Sequence, residues 1–238
     1  MVLLLTCVSS SMDAISFLRL GHVFIANMTG NVVLFGLALG QAHFEAILYT
    51  SSALVGFCIG VASGAAIPWQ ETPSLLWPLS VTKILVFETL VFGVFCLLWY
   101  TLPAHALLTL LILLVLSAMA MGLQSVAVTR LTIHGVVTTY ITDTMNSLIR
   151  TLVRSLKQSP HGSLPATSND EIAAFIPFTT PSLQATMLLI YLFGALISGL
   201  ITLNWPSLVL FLPCIAIAIV FVRTVSHSLH ERHIRSLR

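Results

Sequence analysis

Charge is what this chain has least of. Only 8% of its 238 residues are Asp, Glu, Lys or Arg, against about 25% in a soluble domain. A surface facing water cannot be built from so few charges, so an ordinary soluble domain is excluded. Ten basic and eight acidic residues leave a net charge of +2. No Lys/Arg-rich run with interleaved aromatics lies outside the tail, so no nucleic-acid partner is expected. Cysteine is scarce too. Cys7, Cys58, Cys96 and Cys214 each sit in an apolar run and form no CxxC pair, which argues against a disulfide framework or a zinc site and for small packing residues. HExxH, GxSxG, a P-loop and a dinucleotide fingerprint are all missing, so the chain reads as a non-enzyme without catalytic residues, metal or cofactor. The start, Met1-Val2-Leu3-Leu4-Leu5-Thr6, has no basic segment, so a cleaved signal peptide is not expected.

What the chain has in abundance is hydrocarbon. It is 57% hydrophobic, with a mean hydropathy of +1.01. A helix needs about 20 apolar residues to span a bilayer. Stretches 46–67, 84–102, 106–123, 182–203 and 205–222 meet or approach that length. Stretches 1–18 and 20–39 are apolar but interrupted. The poorest candidate is 131–152, which holds His134, six threonines, Asp143, Asn146 and Arg150. The expected fold is an all-helical, polytopic transmembrane bundle in contact with membrane lipids.

The interruptions come as two polar clusters. One runs from Asp13 and Arg19 through Asn27-Met28-Thr29-Gly30-Asn31. The other runs from Gln124 and Arg130 through Thr138-Thr139-Tyr140-Ile141-Thr142-Asp143-Thr144. Arg19 and Arg130 stand 111 positions apart, Thr29 and Thr142 113. Small-residue stripes recur as well, Gly56-x-x-x-Gly60-x-x-x-Gly64 and Gly194-x-x-x-Ser198. Such stripes let helices approach closely, within a chain or in a homo-oligomer through Gly56, Gly60 and Gly64. Two related membrane units follow, 1–102 and 103–223, the second with a turn-rich loop at about 155–180. A basic tail, 224–238, completes the chain. Eight crossings would make the units parallel. Re-entrant polar segments would leave six crossings and inverted units.

Polar groups in hydrocarbon need partners and mark candidate sites. Asn27, Thr29, Asn31, Thr139, Thr142 and Asp143 are expected as ligands of a small polar or ionic solute, bound between the halves. Gly30 would permit a helix break, and Arg19 and Arg130 would set the local potential. Asp13 with Arg130, and Arg19 with Asp143, are expected to pair. The alternative is a membrane scaffold whose polar clusters only hold helices together. The sequon Asn27-Met28-Thr29 lies in apolar sequence and is read as accidental.

Three further groups stand out. Glu88, mid-segment with Lys83 nearby, is a candidate proton carrier. His134, Tyr140 and Asp143 could relay protons. His227, His230 and His233 share a spacing of three, but a basic interfacial helix explains them better. Arg150, Arg154 and Lys157 open the long loop, and Arg223, Arg232, Arg235 and Arg238 fill the tail. Both groups are placed in the cytoplasm, as the positive-inside rule requires. The loop 69–78, without Lys or Arg, is placed opposite.

Met12-Asp13-Ala14-Ile15-Ser16-Phe17-Leu18 followed by Phe24-Ile25-Ala26-Asn27-Met28-Thr29-Gly30-Asn31 resembles the signature of the YoaK family. Ala120-Met121-Gly122-Leu123-Gln124-Ser125 through Arg130, with Thr138-Thr139-Tyr140-Ile141-Thr142, resembles its second signature. That family comprises bacterial and fungal multi-span membrane proteins with a domain of unknown function. The resemblance covers about residues 3–222. It implies a polytopic membrane fold and no established substrate. The family usually has glycine where Asp143 stands, which adds a charge to the second cluster.

Overall fold

The computed structural model describes residues 1–68, 79–103, 106–131, 141–157 and 181–236, with side chains described to 153 in the fourth of these segments and over 182–226 in the fifth. Its elements are α1 (Val2–Arg19), α2 (Met28–Gly40), α3 (Phe44–Ala66), α4 (Leu79–Thr101), α5 (Leu107–Arg130), α6 (Ile141–Lys157), α7 (Pro181–Asn204), a 3-10 turn (Pro206–Leu208) and α8 (Phe211–Ser236). The protein is an integral, multi-pass membrane protein. Among the described residues, six helical segments are long and apolar enough to cross a membrane, in α1, α3, α4, α5, α7 and α8. The apolar α2 has only 13 residues, about 20 Å at 1.5 Å per residue, too short to span. The 17-residue α6 carries Arg150, Arg154 and Lys157, also against a crossing.

Packing follows a pattern. Helix α3 lies on α5, and α1 lies on α7; α4 covers α5, and α8 covers α1; α2 rests on α3, and α6 on α7. Shorter contacts join α4 to α8 and α1 to α5. The core is filled by Leu5, Met12, Ile15, Ile84, Phe95, Leu114, Met121 and Leu123, all fully buried. Lipid-facing positions are apolar as well, including Leu90, Leu97, Leu192 and Val222. A bundle in hydrocarbon has little to gain from sorting apolar residues inward, so close backbone packing must decide which faces meet.

Glycines decide the α3–α5 contact. A Cβ on Gly56 would meet Val115 O at 2.5 Å, one on Gly60 would strike Met119 O, and one on Gly122 would strike Phe57 O. Advancing along α3 advances along α5, so the two helices run parallel. The stripe Gly56, Gly60 and Gly64 was expected to let a helix approach closely, within the chain or in a homo-oligomer. Within the chain its face is filled by α5, whose backbone lies close enough to require glycine at Gly56 and Gly60. Gly194 plays a similar part, its absent Cβ leaving room for Ser10 on α1.

The cysteines are free, but two are not isolated. Cys96 on α4 and Cys214 on α8 bring their Sγ atoms to 3.6 Å. Tyr100 reaches Ser207 O at 3.3 Å, one turn further along. These two contacts set α4 and α8 antiparallel.

Candidate functional site

The first polar cluster is built around a chain reversal. Helix α1 ends at Arg19. Gly21 (φ 91°) and His22 (φ 59°) then take left-handed conformations in succession. The ring of Tyr49 lies 2.5 Å from where a Cβ on Gly21 would sit, so both the turn and the close approach require glycine. Beyond the turn, Val23 O accepts from Ser16 Oγ at 2.7 Å. Ile25 N and Ala26 N donate to Asp13 Oδ1 at 2.8 and 2.7 Å. As the linker advances its partners on α1 retreat, so residues 23–26 run back antiparallel to α1. Asp13 is six residues from Arg19, so this extended chain reaches back by about 9 Å. Helix α2 then starts at Met28 and returns outward to the level of Tyr49. The chain thus doubles back beside the end of α1 instead of continuing away from it.

Non-helical backbone at such depth is stable only if every polar group finds a protein partner. Asn31, fully buried on α2, supplies two. Its Oδ1 accepts from Phe24 N at 2.9 Å, and its Nδ2 donates to Phe24 O at 2.5 Å. With Asp13 and Ser16, it satisfies Val23 O, both polar groups of Phe24, Ile25 N and Ala26 N. Asn27 caps α2, its Oδ1 accepting from Gly30 N at 3.2 Å. The break therefore precedes Asn27. Gly30 was expected to unwind the helix, yet it lies within the first turn of α2. Its missing side chain gives room to Phe24, whose ring would be 3.1 Å from a Cβ there.

Asp13 is the charged residue at the centre, 5% exposed. Its second oxygen accepts from the Tyr191 hydroxyl on α7 at 2.9 Å. Three accepted bonds suit a carboxylate that is acceptor-only when ionised. Beside this pair lies a groove of about 400 Å³, open to the outside of the bundle, lined by Ser10, Asp13, Phe17, Phe24, Tyr191 and Gly199 among others. Tyr191 was not singled out by the sequence. Nothing near it is polar in the chain, and only the fold places it across from Asp13.

The other expected site residues fall elsewhere. Gln124, fully buried on α5, donates from Nε2 to Leu5 O at 2.9 Å and Ser9 Oγ at 2.8 Å, joining α5 to α1. Arg130 donates to Ala65 O at 3.2 Å and Ile67 O at 2.9 Å, where a cation complements the carbonyl end of α3. The expected pair Asp13–Arg130 does not form. Gln124 already faces Leu5 and Ser9 near the start of α1, whereas Asp13 sits towards its end with its oxygens engaged. Arg19, Asn27 and Thr29 are exposed, as are Thr142 and Asp143 in the first turn of α6. Arg19 and Asp143 make no hydrogen bond or ion pair with each other. Thr144, by contrast, is buried. Thr138, Thr139, His134 and Tyr140 lie outside the described residues, as do the side chains of His227, His230 and His233. No cluster of three metal-ligating groups occurs among the described residues.

Comparison with known proteins agrees with the signatures read from the sequence. The chain is 33% identical over 223 residues to the UPF0700 transmembrane protein YoaK of Bacillus subtilis (strain 168), covering 91% of this chain and 89% of that one. No solved structure matches. The model of the family described as "Protein of unknown function (DUF1275)" matches residues 1–223, and the chain belongs to that family.

Proposed function

We propose that this protein transports a small polar or ionic solute, through a site between two inverted halves. The observation that carries the reading is this groove, with the Asp13–Tyr191 pair in its wall. Its volume of about 400 Å³ lies within the range of small-molecule sites, and a few polar groups in an apolar lining are typical of them. Helix α1 belongs to the first half and α7 to the second, so relative motion of the halves would reshape it.

The packing pattern supports the two-half reading. Exchanging α1–α4 with α5–α8 turns each helix contact into another that is present: α3·α5 becomes α7·α1, α4·α5 becomes α8·α1, and α2·α3 becomes α6·α7. Each half holds three spanning helices and one short one. Three crossings reverse direction, so the halves are inverted, the arrangement common among transporters. With six crossings, nine of the ten Lys and Arg residues fall on one side and only Arg19 on the other. That side is cytoplasmic by the positive-inside rule and holds both chain ends. The loop 69–78 then shares it, against its expected placement.

The test is solute uptake into proteoliposomes, comparing the native chain with Tyr191→Phe. That change removes only the hydroxyl in the groove wall. Solute uptake that falls with Tyr191→Phe supports the site; no uptake by the native chain across amino acids, sugars, inorganic ions and nucleosides would remove it. A second reading, a membrane scaffold, is favoured by Asn31. Both ends of its amide are consumed by Phe24, so it holds the fold and has nothing left for a solute.

A further inference from the structure

Glu88 is the buried charge that neither polar cluster accounts for. It is 2% exposed, and neither carboxylate oxygen has a hydrogen-bond partner. It is the tenth of 23 residues in α4, within about 3 Å of the helix centre along its axis. Ser80, Ile84, Glu88 and Phe92 stand four apart and are all buried, so Glu88 belongs to the face turned into the bundle, not to lipid.

Among the described residues its surroundings offer no counter-charge. Helix α4 packs against α5 and α8. On α5 the single charged residue is Arg130, at the helix end and bonded to the α3 carbonyls. Among the described side chains of α8, Cys214 lies against Cys96 and Arg223 is exposed. On α4 itself Lys83 and Tyr100 are exposed. Thr224 on α8 is buried with its hydroxyl unpartnered, a second polar atom held dry in the bundle. An ionised carboxylate at mid-depth without a partner is costly, so this conformation suits the neutral acid, which carries one proton on one oxygen. The anion needs another conformation that brings it water or a cation.

We propose that Glu88 is a proton-binding site, loaded from water and unloaded as the bundle changes conformation. The coupled species is a proton and not a metal ion. A metal ion needs several ligands at once, and no cluster of three metal-ligating side chains occurs among the described residues, whereas a proton needs a single atom. The role of this site in a cycle rests on the transport reading; its existence does not.

The experiment is infrared difference spectroscopy of the full chain in lipid nanodiscs, stepped from acid to alkaline pH in light and heavy water. The native protein is expected to show a buried carboxylic-acid C=O band that titrates and shifts with deuterium. Glu88→Gln, which mimics the neutral acid in size, is expected to lose that band; Glu45→Gln, an exposed site, is expected to keep it. Should Glu88→Gln fail to give monodisperse protein, Glu88→Asp is expected to move the band. A band that survives Glu88→Gln overturns the proposal, as does one that responds to sodium chloride at fixed pH. Loss of the band without uptake of any solute retires transport and leaves the proton site standing.

Discussion

Tyr191 donates its hydroxyl to Asp13 across 2.9 Å, the polar bridge between the first half of the chain and α7. The same carboxylate holds Ile25 N and Ala26 N with its other oxygen. One side chain therefore fixes the linker, a partner helix and one wall of the groove. Two substitutions separate these duties. Tyr191→Phe leaves the linker amides bonded and removes one interhelical hydrogen bond, which in membranes averages about 0.6 kcal/mol. Asp13→Ala strands two buried amides, at about 1–3 kcal/mol each. Unfolding in detergent should show a small loss for the first and a severe one for the second. Equal losses would mean that Asp13 does not hold the linker.

Asn31 and Thr29 sit two residues apart in one signature yet have opposite environments. Asn31→Ala leaves Phe24 N and O without their partner in a half-buried position, so a loss of about 2 kcal/mol is expected. Thr29 is exposed, and Thr29→Ala should leave the melting temperature unchanged. Any solute role of Thr29 would then appear as lost uptake at native stability. A melting temperature that stays native in Asn31→Ala would show that the amide is not the latch of the linker.

Glycines give the sharpest contrast. Gly60→Ala forces a methyl group into the backbone of α5 at Met119, and neither helix can yield without losing the contact. Gly36 and Gly93 face open space, so Gly36→Ala and Gly93→Ala should be neutral or slightly stabilising. Expression yield and size-exclusion profile of the three variants check this. If Gly60→Ala folds normally but changes the oligomeric state, the stripe acts between copies rather than within one.

The membrane class, the helical content and the five plain spans were legible, because hydrocarbon thickness fixes run length and little else decides it. Cluster positions were legible too. Their meaning was not, for a physical reason. Asn27 and Asn31 are four residues apart and look like a ligand face, but an amide that meets backbone N–H and C=O is spent on them. Whether the neighbouring chain is helical or extended cannot be read from a run such as Val23-Phe24-Ile25-Ala26, which is apolar either way. The Asp13–Arg130 pair failed because charge counts carry no direction. Antiparallel α1 and α5 put these residues towards opposite ends.

Topology yields the last prediction. If α2 is re-entrant and α6 does not cross, Arg19 lies on one side of the membrane, while Arg150 and Arg232 share the other with both chain ends. Eight crossings would distribute them differently: two extra spans restore the parity of the tail but change that of the α2–α3 turn near His43. Single cysteines at positions 19, 43, 150 and 232, in a chain with Cys7, Cys58, Cys96 and Cys214 replaced by serine or alanine, can be probed in sealed vesicles with a thiol reagent that does not cross lipid. Six crossings predict that 19 and 43 react together from one face, and 150 and 232 together from the other. Reaction of 19 and 43 from opposite faces would make α2 a span, and the inverted relation of the halves would fall with it.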